Sequence, residues 1–211
     1  MAAGAYAPDA GAAAIAADVR SAAGEAIPDA VVYALPAAAP PLSRSRPKSS
    51  IEQLDREFIP YVSAVQAGTV VTFPNHDPIL HHVYSFSRAK PFEIKLYSGA
   101  SPIEIVFDQP GVVTLGCNIH DWMIAYVLVV ETPYFGKTDA QGRASLPNVP
   151  PGKYEVRVWH PTQKGGGAPQ SLVVAQGGAG TNGGGSVAVS FVLDVAPRKV
   201  RYKPPMDKMH Y

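Results

Sequence analysis

The only cysteine of the 211-residue chain is Cys117, and an imidazole and a thioether stand close to it. His120 and Met123 complete the spacing C-x-x-H-x-x-M. Apolar runs at residues 112–115 and 124–130 flank these donors, so we expect a tight turn between two strands. On such a turn the three side chains can converge on one point. Two sulfur donors with imidazole favour copper, and a Cys-His-His set with a distant Met is typical of electron-transfer copper sites.

A second histidine must come from elsewhere in the chain, and two adjacent candidates follow a strand-like run. Residues 69–73 predict a strand, residues 74–78 break it, and His81 and His82 begin the next strand. Because adjacent residues of a strand face opposite ways, only one of these imidazoles can point into a shared pocket.

The composition is that of a globular chain rich in turns. Hydrophobic residues make up 46% of it, which is enough for a core. The net charge of +1 argues against binding to nucleic acid or to a membrane surface through bulk electrostatics. The chain has 19 glycines and 21 prolines with short β-branched runs between them, which predicts an all-β fold. No apolar run is long enough to span a bilayer.

Two segments carry a resemblance to a known family. The segment 73–83 resembles the first-ligand segment of the blue copper proteins, the cupredoxins, and the segment 110–123 resembles their second. The C-x-x-H-x-x-M spacing is similar to the short ligand loop of amicyanins. Over residues 51–131 the resemblance implies a Greek-key cupredoxin β-sandwich with one mononuclear type 1 copper. The ligands that it implies are His81, Cys117, His120 and Met123.

The position of the first histidine departs from the family pattern. In cupredoxins the ligand histidine is followed by an asparagine whose side chain ties the two ligand loops together. Here His82 occupies that position, so position favours His81 as the ligand, and replacement of His81 by His82 stays the alternative. An imidazole N–H at His82 could reach a backbone carbonyl and supply the tie.

The resemblance also implies roles around the metal. Cys117 would bind as thiolate and carry the electron, and Met123 would tune the potential. His120 would place its ring edge near the surface as the exit for the electron. Backbone N–H groups of Asn75 or His76 would donate to the sulfur.

The flanks resemble a second kind of sandwich, the carboxypeptidase regulatory-like (transthyretin-like) domain, most specifically at residues 137–158. We expect residues 16–40 and 132–195 to form it, with the copper domain, residues 51–131, inserted into it or packed with it. Flexible termini are expected at 1–15 and 196–211. The proline-rich stretch 36–50, with its basic residues, reads either as a solvated linker or as a docking patch for an acidic partner; those residues are Arg44, Arg46 and Lys48.

The function predicted on these grounds is single-electron transfer by a type 1 copper protein. The whole arrangement resembles methylamine-utilisation or plastocyanin-like proteins, which implies a redox partner such as a quinoprotein dehydrogenase or a c-type cytochrome. Such sites are usually extracytoplasmic, so a periplasmic location is expected. The N-terminal residues 1–6 lack a basic region and show no signal peptide, so either an export signal has been removed, which this expectation favours, or the protein stays inside the cell.

Other functions remain open at this point. The chain could be a cell-envelope interaction module, or it could store or deliver copper. We find no nucleophile–base constellation and no phosphate-cradling loop, so the chain is expected not to be an enzyme.

Several other residues of ligand type have a simpler explanation. His76 and His160 are expected to cap turns, and Trp122 lies either on a docking face or in the core. The C-terminal tail either binds Cu(I) weakly or is disordered; its candidate donors are Met206, Met209 and His210.

Overall fold

The computed structural model describes residues 12–38, 46–99, 103–176 and 186–198, and every regular element in these ranges is a β-strand. This confirms the prediction of an all-β sandwich fold. No helix in the described ranges has the length and apolar character needed to cross a membrane. The chain divides into two compact units. We call residues 1–42 with 131–196 the flanking unit, and residues 43–130 with 197–211 the central unit.

The strands of the described ranges are numbered in chain order. They are β1 (Ala13–Arg20), β2 (Val31–Pro36), β3 (Lys48–Ser50), β4 (Glu52–Leu54), β5 (Glu57–Ile59), β6 (Val62–Gln66), β7 (Thr69–Thr72), β8 (His81–Ser85), β9 (Phe92–Tyr97), β10 (Glu104–Phe107), β11 (Gly111–Gly116), β12 (Ile124–Val130), β13 (Phe135–Lys137), β14 (Arg143–Val149), β15 (Gly152–Trp159), β16 (Gln163–Gly166), β17 (Gln170–Val174) and β18 (Ser186–Val195).

Two four-stranded sheets form the flanking unit, with the strand orders β14-β1-β18-β16 and β13-β2-β15-β17. Successive side chains of a strand face opposite sides of the sheet, and β15 shows the consequence. Tyr154, Val156 and Val158 are buried, whereas the residues between them are more exposed. These side chains share one apolar core with residues of the other sheet, among them Ile15 and Leu146.

Asp139 builds the turn that precedes β14. Its side-chain Oδ1 accepts the backbone N–H groups of Gln141 and Arg143, both at 2.9 Å. Gly142 has a φ of +77°, and a Cβ there would meet the carbonyl oxygen of Val19 at 2.5 Å. Glycine is therefore required both by the backbone conformation and by the close approach of β1.

The central unit holds a five-stranded sheet, β6-β12-β11-β8-β9, and a three-stranded sheet, β10-β7-β3. In β11 the alternation again decides which residues enter the core. Val113 and Leu115 are buried and Val112 is exposed. Phe73 and Phe107 pack in the same core, with ring centroids 6.5 Å apart.

The segment 51–58 contains most of a hairpin that the sequence analysis did not predict. Strands β4 and β5 pair so that Leu54 faces Glu57, which leaves a two-residue turn at Asp55 and Arg56. The two turn residues have φ values of 52° and 56°. Positive φ at both positions is the type I′ geometry that suits hairpins. It costs a residue with a side chain roughly 1–2 kcal/mol, so contacts outside the turn must stabilise it.

Two boundary predictions are wrong. Strand β1 begins at Ala13, so residues 13–15 belong to a sheet and not to a flexible terminus. The stretch 36–50 is not wholly a linker, because β3 pairs in parallel with β7, and Lys48 Nζ lies 3.2 Å from Glu104 Oε1. Polar composition hid this strand, since backbone groups make the pairing. Arg44 and the tail donors Met206, Met209 and His210 lie outside the described residues.

Candidate metal centre

Three neighbouring strands bring the candidate ligands to one end of the five-stranded sheet. Strands β11 and β12 pair antiparallel, with Gly116 opposite Ile124. The residues between them form the loop that carries Cys117, His120 and Met123. Strand β8 lies on the other side of β11 and begins with His81. Sequence positions more than 30 residues apart therefore meet at one place.

Three donor atoms converge at this end of the sheet. The Nδ1 atoms of His81 and His120 are 3.1 Å apart, and Cys117 Sγ lies 3.6 Å from His120 Nδ1. The donor atoms of all three residues lie within 4.8 Å of one another. Both imidazoles are fully buried, and Cys117 is 4% exposed.

The separation of the two nitrogens fits a shared metal ion. Two metal–nitrogen bonds of about 2 Å that meet at about 100° place their nitrogens about 3.1 Å apart. The observed distance between the Nδ1 atoms of His81 and His120 is 3.1 Å. A soft sulfur beside two imidazoles is a donor set that suits copper.

Met123 lies in the same loop and is 2% exposed. Its backbone N–H donates to the carbonyl oxygen of His120 at 2.9 Å, which tightens the turn between the two residues. Its side chain packs in the apolar core that also includes Cys117. The methionine is therefore buried in the same core as the cysteine, and its role as a ligand stays a prediction.

His81 and His82 are adjacent on β8, and their side chains contact different groups. His81 belongs to the three-donor cluster, whereas His82 Nε2 lies 2.9 Å from Glu93 Oε1 and its ring centroid lies 5.6 Å from that of Tyr84. The contacts described for His82 are with these two side chains and not with the backbone carbonyl that the expected tie would need. His82 Nδ1 is buried without a hydrogen-bond partner.

Asp77 is a residue of the site that the sequence analysis missed. Its Oδ2 lies 2.7 Å from His81 Nε2, and its side chain is 7% exposed. Its two carboxylate oxygens also accept the backbone N–H groups of Asp55 at 2.7 Å and Arg56 at 2.8 Å. The sequence shows that Asp77 lies four residues before His81. It does not show that Asp77 binds the turn at Asp55 and Arg56.

The predicted N–H donors to the cysteine sulfur are engaged elsewhere. The backbone N–H of Asn75 donates to the carbonyl of Gly99 at 3.2 Å, and that of His76 donates to Gln53 at 2.8 Å. That prediction is wrong because the β4–β5 hairpin and the loop after β9 take these donors. The side chain of Asn75 instead binds within its own loop, where its Oδ1 accepts the N–H of Asp77.

His120 does not reach the surface, contrary to the prediction of an exposed ring edge. Its ring centroid lies 5.2 Å from that of Trp122, which is half-buried against the core. The indole Nε1 of Trp122 donates to the carbonyl oxygen of Arg56 at 3.0 Å. Arg56, which is 8% exposed, belongs to the turn of the unpredicted hairpin. That hairpin is the reason for the difference.

Both candidate imidazoles are neutral near pH 7. Burial lowers the pKa of His120 to about 4, and the charges of His81 and Arg56 act in the same direction. Burial also lowers the pKa of His81, although its hydrogen bond to Asp77 opposes the change. Neutral imidazole is the form that binds metals.

His76 and His160, which also lie in the described ranges, are outside the cluster. His160 Nδ1 accepts the backbone N–H of Thr162 at 3.2 Å, which is the turn role that the sequence predicted. His76 Nε2 lies 3.8 Å from a carboxylate oxygen of Glu52 near the surface.

Comparisons with known proteins give partial structural matches. No protein-family model matches the chain, and no curated protein matches it. A copper-containing nitrite reductase from Thermus scotoductus is 22% identical over 46% of this chain, with a TM-score of 0.39. A purple cupredoxin from Nitrosopumilus maritimus is 23% identical over 39% of this chain and 99% of its own, with a TM-score of 0.35. Amicyanin from Paracoccus versutus is 13% identical over 46% of this chain and 98% of its own, with a TM-score of 0.36.

These matches bear on one earlier expectation. The chain covers 26% of the nitrite reductase. That similar structure is an enzyme, so the expectation that the chain is not an enzyme is wrong as it stands. Likeness of this degree assigns no activity, and the function must be argued from the residues.

Proposed function

We propose that the central unit holds one type 1 copper and transfers single electrons. His81, Cys117 and His120 would hold the copper, and Met123 would be a weak fourth ligand. The observation that carries this proposal is the convergence of three buried donor atoms within 4.8 Å. Thiolate, imidazole and thioether together favour copper, whereas zinc sites rarely include a thioether.

Bound copper would supply the one-electron chemistry of the Cu(I)/Cu(II) couple. The protein supplies fixed ligands: His81 stands at the start of β8, and the other donors lie on the loop between β11 and β12. The paired strands β8, β11 and β12, which bracket these donors, resist their movement when the charge changes. Burial of both imidazoles keeps water from the site.

The route to a partner cannot depend on an exposed ring edge of His120. We assign this role to Trp122, whose half-buried ring lies 5.2 Å from the His120 ring. The proposed partner is a redox protein, either a quinoprotein dehydrogenase or a c-type cytochrome, in the periplasm or another extracytoplasmic space. The resemblance noted in the sequence supports these assignments and the transthyretin-like character of the flanking unit.

Addition of one equivalent of Cu(II) to metal-free protein tests the proposal. We expect an intense visible band from charge transfer between thiolate and Cu(II), and a narrow copper hyperfine splitting in the electron paramagnetic resonance spectrum. At a free copper concentration of about 1,000 times Kd, the free energy of unfolding should rise by about 4 kcal/mol.

Two adjacent histidines provide a matched pair of variants. His81→Asn and Cys117→Ser should abolish the visible band, whereas His82→Asn should keep it, because His82 contacts Glu93 and not the cluster. A colourless wild-type complex with an ordinary type 2 signal would show that Cys117 is not a ligand. The electron-transfer proposal would then fall, and an interaction module would become the better explanation.

Storage or delivery of copper predicts a different result. A storage site releases its metal readily to chelators, whereas the buried donors of this site predict slow release. Rapid extraction from the wild-type protein, without electron exchange with any redox protein, would favour storage.

A further inference from the structure

One buried carboxylate connects a candidate ligand to the turn of the β4–β5 hairpin. Asp77 Oδ2 lies 2.7 Å from His81 Nε2 and accepts the N–H of Arg56, and Oδ1 accepts the N–H of Asp55. Three contacts on one nearly buried side chain are more than a turn of the loop requires. The loop is already closed by Asn75, whose Oδ1 accepts the N–H of Asp77.

The contact with His81 selects one form of the imidazole. A carboxylate only accepts hydrogen bonds, so Nε2 must carry the proton that it donates to Asp77. In the neutral ring, Nδ1 then keeps a free lone pair. Nδ1 is the atom that faces His120 Nδ1 at 3.1 Å. Partners of this kind fix both the tautomer and the orientation of metal-binding histidines.

The contacts with the turn stabilise a conformation that its own residues disfavour. Asp55 and Arg56 both have positive φ, and neither is glycine. The same turn contacts the second histidine indirectly, because the carbonyl oxygen of Arg56 accepts the indole N–H of Trp122. The Trp122 ring in turn lies beside His120.

We infer that Asp77 is a positioning residue of the copper site. It holds His81 with Nδ1 directed toward the metal, and it fastens the Asp55–Arg56 turn that reaches Trp122. Orientation of the ligand and closure of the site therefore depend on one carboxylate. This inference rests on the proposed copper function.

The test compares Asp77→Asn with the wild-type protein, both loaded with copper. Asn keeps the size of the side chain but loses the charge and one acceptor oxygen. We expect chelators to remove copper about 10- to 100-fold faster. The reduction potential should rise, because a negative charge near the site favours Cu(II) over Cu(I). The copper hyperfine splitting should widen as His81 loses its fixed orientation.

Asp108→Asn is the matched control, since it removes the same charge from an exposed carboxylate that contacts Lys90. It should leave the spectrum, the potential and the extraction rate unchanged. If Asp77→Asn also leaves all three unchanged, the inference is overturned while the copper proposal stands. If wild-type protein forms no blue complex, the copper proposal itself fails.

A second background protects the test against loss of folding. Replacement of Asp55 and Arg56 by Asn and Gly supplies a turn that favours positive φ without help from a carboxylate. In this background Asp77→Asn should still raise the potential and widen the splitting. A purely structural role of Asp77 predicts instead that the Asn-Gly turn restores the wild-type values, which would overturn the inference.

Discussion

Buried polar side chains distinguish the central unit from the flanking unit. In the described part of the flanking unit they are Thr132 and Thr138, and both have partners. Thr138 Oγ1 accepts the N–H of Ala30 and donates to the carbonyl of Ile27, each at 2.8 Å. The buried polar side chains described in the central unit are Gln53, Arg56, Ser63, Thr69, Asn75, His81, His82, Ser85 and His120.

In the central unit, polar side chains occupy buried positions that apolar side chains would otherwise fill. Burial of a polar group without a partner costs about 1–3 kcal/mol by mutational measures. Two such atoms occur in the described chain, Gln53 Oε1 and His82 Nδ1, and both belong to the central unit. The flanking unit is built for apolar packing, whereas the central unit keeps a polar cluster at one end of its core.

The largest expected effect comes from matched cavities in the two cores. Leu115 and Leu146 are both fully buried, one in each unit. Each Leu→Ala change should lower the free energy of unfolding of its unit by about 2–5 kcal/mol. Leu115 is two residues from Cys117, so only Leu115→Ala should also alter the copper spectrum. Denaturant unfolding and visible spectra of both variants check this, and an altered spectrum in Leu146→Ala would contradict it.

A smaller effect should appear on acidification of the metal-free protein. Burial lowers the pKa of His120 to about 4 and also lowers that of His81. Between about pH 6.5 and pH 4 the unfolded chain therefore binds more protons at position 120 than the folded chain does. As the pH is lowered, the free energy of unfolding should therefore decrease, by up to about 1.4 kcal/mol per pH unit for each histidine.

The flanking unit provides the comparison for this pH dependence. Burial lowers the pKa of His160 as well, so the flanking unit should also lose stability as the pH is lowered. The loss should be smaller than in the central unit, because one such histidine contributes instead of two. Denaturant unfolding at pH 7 and pH 5 measures both slopes. His120→Asn should make the dependence of the central unit shallower, and an unchanged slope would rule out this explanation.

The strands that flank the ligand loop and the donor residues on that loop could be predicted because both rest on local patterns. Apolar runs mark β11 and β12, and the spacing of Cys117, His120 and Met123 places three donors on one loop. Alternation also requires His81 and His82 to face opposite ways.

The closure of the site could not be predicted, because it depends on contacts between distant segments. The sequence indicates that Asp77 lies in a turn. Its partners Asp55 and Arg56 are more than 20 positions away, so their contact with it could not be predicted. The type I′ turn contains neither Asn nor Gly, the residues that usually indicate such a turn in a sequence. The burial of His120 follows from that hairpin, so it was missed with it.

The smallest expected effects come from exposed ion pairs, one in each unit. Lys137 and Asp29 lie 2.8 Å apart in the flanking unit, and Lys48 and Glu104 lie 3.2 Å apart in the central unit. Double-mutant cycles should give at most about 1 kcal/mol for either pair, with less for the more exposed pair of Lys48. Hydrogen exchange in Lys48→Ala should leave the β3–β7 amides protected, since parallel backbone pairing holds β3. Loss of that protection would mean that the side-chain charge, and not the backbone, keeps this polar strand in the sheet.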